Sequence, residues 1–304
     1  MSLRKIMQLA ATAAFALAPI AASAQTEITT APVANNLYML QGGGGNIAIL
    51  AGEDGVFLVD TQVAPLFERI TAAIGEVTTQ PVTYVLNTHW HHDHTHGNGN
   101  FNDAGAVIIA HENVRRRVSA KQIITPPMSG GEAPALPKNA WPEVTFSDKI
   151  TLHLNGEEIR AHYFASAHTD GDVMVHFVNA DALHMGDIYF SNGYPNIDVG
   201  SGGNIDAMIR AHEFALTLVS DKGKIIPGHG DLATPTDVAE YINMLKTVRT
   251  RVAALIDEGL SQSEVVAQRP IADLETRWGQ GYIKQDRMVI QAYKSLAPRS
   301  EWED

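Results

Sequence analysis

Short apolar runs broken by glycine-rich turns open the body of the chain. Leu37-Tyr38-Met39-Leu40, Ile47-Ala48-Ile49-Leu50 and Val56-Phe57-Leu58-Val59-Asp60 read as three strands. The glycine run Gly42 to Gly45 separates the first two, and Gly52-Glu53-Asp54-Gly55 makes a hairpin turn between the last two. Residues 64–74 carry helical spacing. Val82-Thr83-Tyr84-Val85-Leu86 is a short buried strand, residues 107–110 another, and 112–123 a helix. Strands resume at 150–154, 158–164, 172–178 and 182–185. A helix over 205–219, a strand over 224–226, a long helix within 235–259 and helices over 261–268 and 282–295 complete the pattern.

Residues 125–142 differ from their surroundings. Pro126, Pro127, Pro134, Pro137 and Pro142 fall there, so a loop is expected, open to reading as a pocket lid or as a plain surface insertion. It is not a domain boundary, because strands restart at once. The order strand-rich, helix, strand-rich, helix fits an α/β protein of two sheets with helices on both outer faces.

The first residues are patterned differently again. Arg4 and Lys5 precede an alanine-rich apolar run over 6–22, and Ala22-Ser23-Ala24 fits a cleavage triplet. Residues 1–24 therefore read as a cleavable signal peptide rather than a retained anchor. Residues 25–304 read as one domain, exported to a periplasm or secreted and not inserted in a bilayer.

Composition narrows the function classes. The 304 residues are 45% hydrophobic, ample for one large core. A formal net charge of −12 argues against a nucleic-acid partner. With no cysteine, neither a disulfide nor a thiolate nucleophile or ligand is available.

The candidate chemistry sits directly after the strand at 82–86, in Thr88-His89-Trp90-His91-His92-Asp93-His94. Imidazole and carboxylate together suit zinc and similar divalent ions. Four such side chains so close in sequence cannot all reach one tetrahedral centre comfortably, which suggests two ions. In extended backbone alternate residues face one side, so His89, His91 and Asp93 are expected to share a cavity while His94 turns toward a second ion. His168, Asp187 and His229 are the later candidates.

His89-x-His91-x-Asp93-His94 resembles the signature of the metallo-β-lactamase superfamily. Ala167-His168-Thr169-Asp170-Gly171-Asp172, Met185-Gly186-Asp187 and Pro227-Gly228-His229-Gly230 resemble its later motifs, in the family's order. The resemblance implies an αββα sandwich of two mixed β-sheets flanked by helices, with metals at one edge. It implies that His89, His91 and His168 hold one ion, that Asp93, His94 and His229 hold a second, and that Asp187 bridges them. Two Zn2+ ions are the default, with manganese or iron as alternatives for the same donors. It further implies a metal-bound hydroxide attacking a carbonyl carbon of a small molecule, Asp93 orienting it and relaying its proton. Two divalent ions, two carboxylates and one hydroxide leave a site charge of about +1.

The substrate is less legible. Opening of β-lactam rings is the first reading, and a lactonase, esterase or thioesterase the alternative. A non-catalytic metal-binding accessory protein is the remote one, disfavoured by a complete ligand set. The absence of cysteine removes a ligand used by the best-known β-lactamase subclasses. Phe190 stands where some of them place a substrate-holding lysine. Ile188-Tyr189-Phe190-Ser191-Asn192 lacks the basic residues of a glyoxalase. Tyr189, Ser191, Asn192, Trp90 and Trp141 are expected to line the pocket. His92, His96 and His184 are read as surface residues or supports of the site, and His111, His153, His162, His176 and His212 as structural.

Overall fold

The computed structural model describes residues 27–124 and 131–303. The leader expected in residues 1–24, with its expected cleavage after Ala24, and residues 125–130 of the proline-rich stretch lie outside the described residues.

The first half runs β1 (Thr29–Ala34), β2 (Leu37–Gln41), β3 (Ile47–Leu50), β4 (Val56–Val59), α1 (Phe67–Val77), β5 (Val82–Leu86), α2 (His92–Thr95), α3 (Asn98–Asp103), β6 (Val107–His111), α4 (Glu112–Val118), β7 (Gln122–Ile124), β8 (Gly131–Ala133) and β9 (Val144–Phe146). The second runs β10 (Lys149–Leu154), β11 (Glu157–Phe164), β12 (Asp172–Phe177), β13 (Ala182–His184), α5 (Ile205–Leu218), β14 (Lys224–Ile226), α6 (Pro235–Asp257), α7 (Gln262–Ala267), α8 (Glu275–Trp278) and α9 (Gln285–Leu296).

Two mixed sheets result. The first has the order β1-β2-β3-β4-β5-β6-β9, antiparallel up to β4 and parallel beyond it. The second has the order β10-β11-β12-β13-β14, antiparallel except for the parallel pair β13 and β14. Leu50, Phe57 and Val59 of the first sheet meet Ile159, Val175 and Phe177 of the second. Phe57 and Phe177 pack edge to face with centroids 6.4 Å apart. Ile70 and Ile74 of α1 and Phe101 of α3 cover the outer face of the first sheet. Met208, Leu245 and Val289 of α5, α6 and α9 cover that of the second. The architecture is the expected αββα sandwich.

Layering explains the sequence pattern. β3 and β4 are buried along their whole length because both faces are covered, so they read as apolar runs rather than alternations. β10 lies at a sheet edge and alternates instead: Ile150, Leu152 and Leu154 point inward while Lys149, Thr151 and His153 face solvent. The long helix α6 starts where its sequence says: Thr234 and Asp237 form a capping box and Pro235 opens the first turn.

Some expectations are corrected. The helix expected over 112–123 ends at Val118; Gln122–Ile124 forms β7 and pairs with β8 inside the stretch expected to be loop. The β-branched pair Ile123-Ile124 favours the strand. β1 and β9 join the sheet although no alternation announced them. The last helix begins at Gln285 rather than at 282. Asp60, read as the end of a strand, leaves β4 at φ 67°. Among the described residues no helix is long and apolar enough to cross a membrane.

His212 gives this core a pH dependence. It is fully buried in α5, stacked on Tyr241 at 5.1 Å, with Nδ1 donating to the Met208 carbonyl at 2.8 Å. Burial pushes its pKa from 6.5 down to about 4. The neutral ring therefore stabilises the fold above the unfolded value of 6.5, and that contribution is lost as pH falls toward about 4. His212→Phe keeps the stacking and removes the titration. Its urea midpoint should fall less than the parent's between about pH 7 and about pH 5; equal losses in both proteins would refute the assignment.

Candidate metal centre

The site is assembled at strand ends. β4 and β5 are parallel neighbours, so the residues just past them lie side by side. Past β4, Asp60 accepts hydrogen bonds from Thr88 N (2.8 Å) and Thr88 Oγ1 (2.7 Å), and its Oδ2 lies 2.7 Å from His94 Nδ1. Past β5 come His89 and His91, and then α2, which carries Asp93 and His94. Asp187 and His229 follow β13 and β14, again a parallel pair. His168 lies between β11 and β12, in a turn pinned by Asp172, which accepts from His168 N at 2.6 Å and Thr169 N at 2.9 Å.

These side chains form two groups, His89, His91, His168 and Asp187 in one and Asp93, His94 and His229 in the other; within each, the donor atoms lie within 4.8 Å of one another. Asp187 faces both. Its Oδ2 is 3.7 Å from His89 Nε2 and 3.6 Å from His168 Nε2. Its Oδ1 is 3.0 Å from His94 Nε2 and 3.4 Å from His229 Nε2. Asp93 Oδ2 lies 3.2 Å from His229 Nε2. All seven residues named from the sequence are thus brought together. The alternation expected from extended backbone stops at His91: the chain turns helical at His92, and Asp93 falls with His94 rather than with His89 and His91.

The donor set fits metal ions. His168 Nδ1 donates to the Asn196 carbonyl (2.5 Å), and His91 Nε2 donates to Asp198 Oδ2 (3.0 Å). The remaining lone pairs, His168 Nε2 and His91 Nδ1, then face each other at 2.9 Å. Two facing lone pairs repel unless a cation lies near both, either a metal ion or a proton on His91, whose pKa Asp198 raises against burial. His94 gives its Nδ1 proton to Asp60, and His89 Nδ1 meets Thr88 Oγ1 at 3.1 Å. Their Nε2 atoms, with Asp187 Oδ1, are buried without a hydrogen-bond partner. Each of these four rings has one nitrogen held from behind and the other turned inward, as ligating histidines require.

Charge tells the same story. Burial opposes ionisation of Asp187, but His94, His229 and His89 outweigh it and hold its pKa well below the carboxylate range. Burial likewise opposes charge on His94 and His229. Asp187, with Asp60 and Asp93 as further carboxylates, raises His94 well above its usual value, and Asp187 and Asp93 bring His229 to about 9. Burial and cationic neighbours push His89 down, and His168 to about 4. Protons on His94 and His229 therefore balance the carboxylates where divalent ions would otherwise do so.

A cavity of about 680 Å3 opens over the group. Trp90, Phe190 and Asn192 line it, as does Asp93. Other lining expectations fail. Tyr189 is buried against Tyr241 and His212, Ser191 bonds the Asp231 carbonyl and lines a separate smaller cavity, and Trp141 packs behind Trp90 with its Nε1 on the Leu136 carbonyl. His92 and His96 sit at the mouth, and His184 is buried against the Asn46 carbonyl. Sequence reasoning missed Asp60, Asn196 and Asp198. Asp60 carried a signal, a carboxylate closing a wholly apolar run; the 196–198 segment carried none.

The glycine run also has a role in the site. Gly45 N donates to the Asp93 carbonyl at 3.0 Å, and a Cβ on Gly45 would lie 2.0 Å from His94 Cε1. Gly45→Ala should therefore displace His94 and lower bound metal by roughly one ion per chain in elemental analysis. Gly75→Ala, on an exposed position of α1 with nothing within 4 Å, should keep its metal and gain up to about 1 kcal/mol of stability. Equal metal content in both variants would overturn this packing argument.

Residues 40–251 match the family model of the metallo-β-lactamase superfamily. The alpha subunit of 2,4-dinitroanisole O-demethylase from Nocardioides sp. (strain JS1661) is 26% identical over 175 residues, 57% of this chain and 50% of that protein. A double mutant of the sec-alkyl sulfatase PisA1, an enzyme of Pseudomonas sp., superposes with a TM-score of 0.68 at 16% identity, covering 88% of this chain and 50% of that one. A metallo-β-lactamase from Pontibacter korlensis superposes at 0.58 and 17%, covering 72% and 99%. The chain thus spans half the length of the demethylase subunit and of the sulfatase. With the family match extending over more than half of its residues and the fold shared with these structures, the chain belongs to the metallo-β-lactamase superfamily.

Proposed function

We propose that this chain is an exported, dinuclear metal-dependent hydrolase that opens neutral esters or lactones bearing an apolar arm. Members of the superfamily are typically metal-dependent hydrolases. The observation that carries the reading is the division of Asp187 between two groups of inward-facing histidine nitrogens. His89, His91 and His168 would hold one ion, Asp93, His94 and His229 the other, and Asp187 both. Bound there, divalent ions, with zinc first for this donor set, would supply Lewis acidity and lower the pKa of coordinated water toward about 7.

The chain's own groups do the rest. Asp93 is partly open to the cavity; its Oδ2 is engaged by His229, which leaves Oδ1 to orient an attacking water and receive its proton. Asp60 and Asp198 hold the rings of His94 and His91 in place. The apolar wall of Trp90, Val118, Ile124, Leu136, Phe190 and Tyr282 accommodates a hydrocarbon arm and excludes water from it.

The side chains lining the cavity favour a neutral substrate over a β-lactam. Among the described residues lining it, Arg117 is the one side chain with a permanent positive charge, against Asp93, Asp187, Asp198 and Glu132. Arg117 is already committed. It donates to both oxygens of Asp170 (2.6 and 3.0 Å), to Gln122 Oε1 and to the Ser201 carbonyl, and it stacks over Trp90. Among the described residues lining the cavity, no lysine or uncommitted arginine is placed to hold the carboxylate that a β-lactam carries. The signal peptide read in residues 1–24 supports export to a periplasm or beyond the cell.

Zinc-loaded mature protein should hydrolyse a long-chain acyl lactone or an aryl ester at a kcat/KM at least about 100-fold above that for a chromogenic cephalosporin. Chelation should abolish both activities. Cephalosporin opening near about 10⁴ M⁻¹s⁻¹ with only trace lactone and ester turnover would overturn the substrate class, and activity undiminished by chelation would overturn the metal mechanism. Asp187→Ala should lose at least one ion per chain and nearly all turnover; full metal content in that variant would refute the bridge.

A further inference from the structure

The family match ends at residue 251, yet the helices beyond it reach back to the site. α9 packs through Met288, Val289 and Ala292 into the core outside the second sheet. Gln291, on the same helix, is fully buried. Its Nε2 donates to Asn196 Oδ1 at 2.6 Å, and its Oε1 accepts from Ile197 N at 3.2 Å. Both bonds end on one short segment. From that segment the Asn196 carbonyl accepts a hydrogen bond from His168 Nδ1, Asp198 Oδ2 accepts one from His91 Nε2, and Asp198 N donates to the His168 carbonyl at 3.0 Å.

Residues 196–198 thus hold the rings of two members of one group, and the hydrogen bonds they make to the described site residues reach that group alone. His94 is held by Asp60, and His229 meets Asp93 and Asp187. An amide in an apolar helix interface must keep its partners or leave polar groups buried alone. A leucine would fill a similar volume there without fixing the loop.

We infer that Gln291 is a positioning residue for the half of the centre made by His89, His91 and His168, acting through Asn196 and Asp198. The inference rests on reading the two groups as metal sites. It assigns to the C-terminal helices, outside the matched region, a part in metal occupancy rather than in folding alone.

The test uses the full mature chain, stripped of metal and titrated with zinc and with Co2+ against a chelator, for the parent, Gln291→Leu, Gln291→Glu and His168→Ala. The parent should take up two ions. Gln291→Leu should bind one as tightly as the parent and the other roughly 10–100-fold more weakly. Its Co2+ absorption spectrum at one equivalent should match that of His168→Ala. Gln291→Glu should stay within several-fold of the parent, since a carboxylate accepts from Ile197 N and from a flipped Asn196 amide. Thermal unfolding of each metal-free variant separates a folding defect from a loss of occupancy; if the leucine variant does not fold, Asn196→Ala, which removes the Oδ1 that Gln291 holds, carries the test and should weaken the same single ion. Two ions bound to Gln291→Leu with parental affinity, or both weakened alike, would overturn the positioning role. A parent that binds no metal would overturn the metal reading itself.

Discussion

Asp187 is 5% exposed, and a carboxylate that deep requires compensating charge or donors. Backbone amides do not supply it: the groups around the carboxylate are histidine rings. The rings are in turn held from behind, by Asp60, Asp198, Thr88 and the Asn196 carbonyl. One buried negative charge therefore dictates where the imidazoles point, and the outer carboxylates dictate which nitrogen each offers. Cations must collect at such a centre, whether as protons on His94 and His229 or as divalent ions.

The sandwich makes this arrangement possible by the direction of its strands. Most neighbours in the second sheet are antiparallel, but β13 and β14 run parallel, as do β4, β5 and β6 in the first. Parallel neighbours end at the same edge, so chain segments far apart in sequence deliver Asp60, the 89–94 loop, Asp187 and His229 to one place. Side chains there rest on a rigid scaffold while facing an open cavity. The close approach leaves no room for a side chain at Gly45, or at Gly228, where a Cβ would lie 2.1 Å from Asp187 Oδ1.

The cavity wall is braced by one cation. Arg117 ties α4 to the His168 turn through Asp170 and to the Asp198 loop through Ser201, so its charge serves the walls of the pocket and not a ligand. What lines the rest of the cavity is an apolar wall beside a strongly polar floor.

The 89–94 cluster, the strands around it and the layered class were legible in the sequence, because ligand types recur there at short spacings after apolar runs whose periodicity reports burial, whereas His168, Asp187 and His229, single residues far apart, were marked by the order of motifs that resembles the superfamily's. Local pattern could not reveal how those residues divide. Asp93 joins His94 because the chain turns helical at His92, and Asp187 serves both groups because β13 and β14 run parallel. Asp198, Asn196 and Gln291 bear no local mark, since their roles arise from partners about 30 to 110 residues away. Hydrophobic periodicity is a property of neighbouring residues along the chain. The pairing of a ring nitrogen with a distant carboxylate is a property of strand direction and packing, and only the folded chain fixes it.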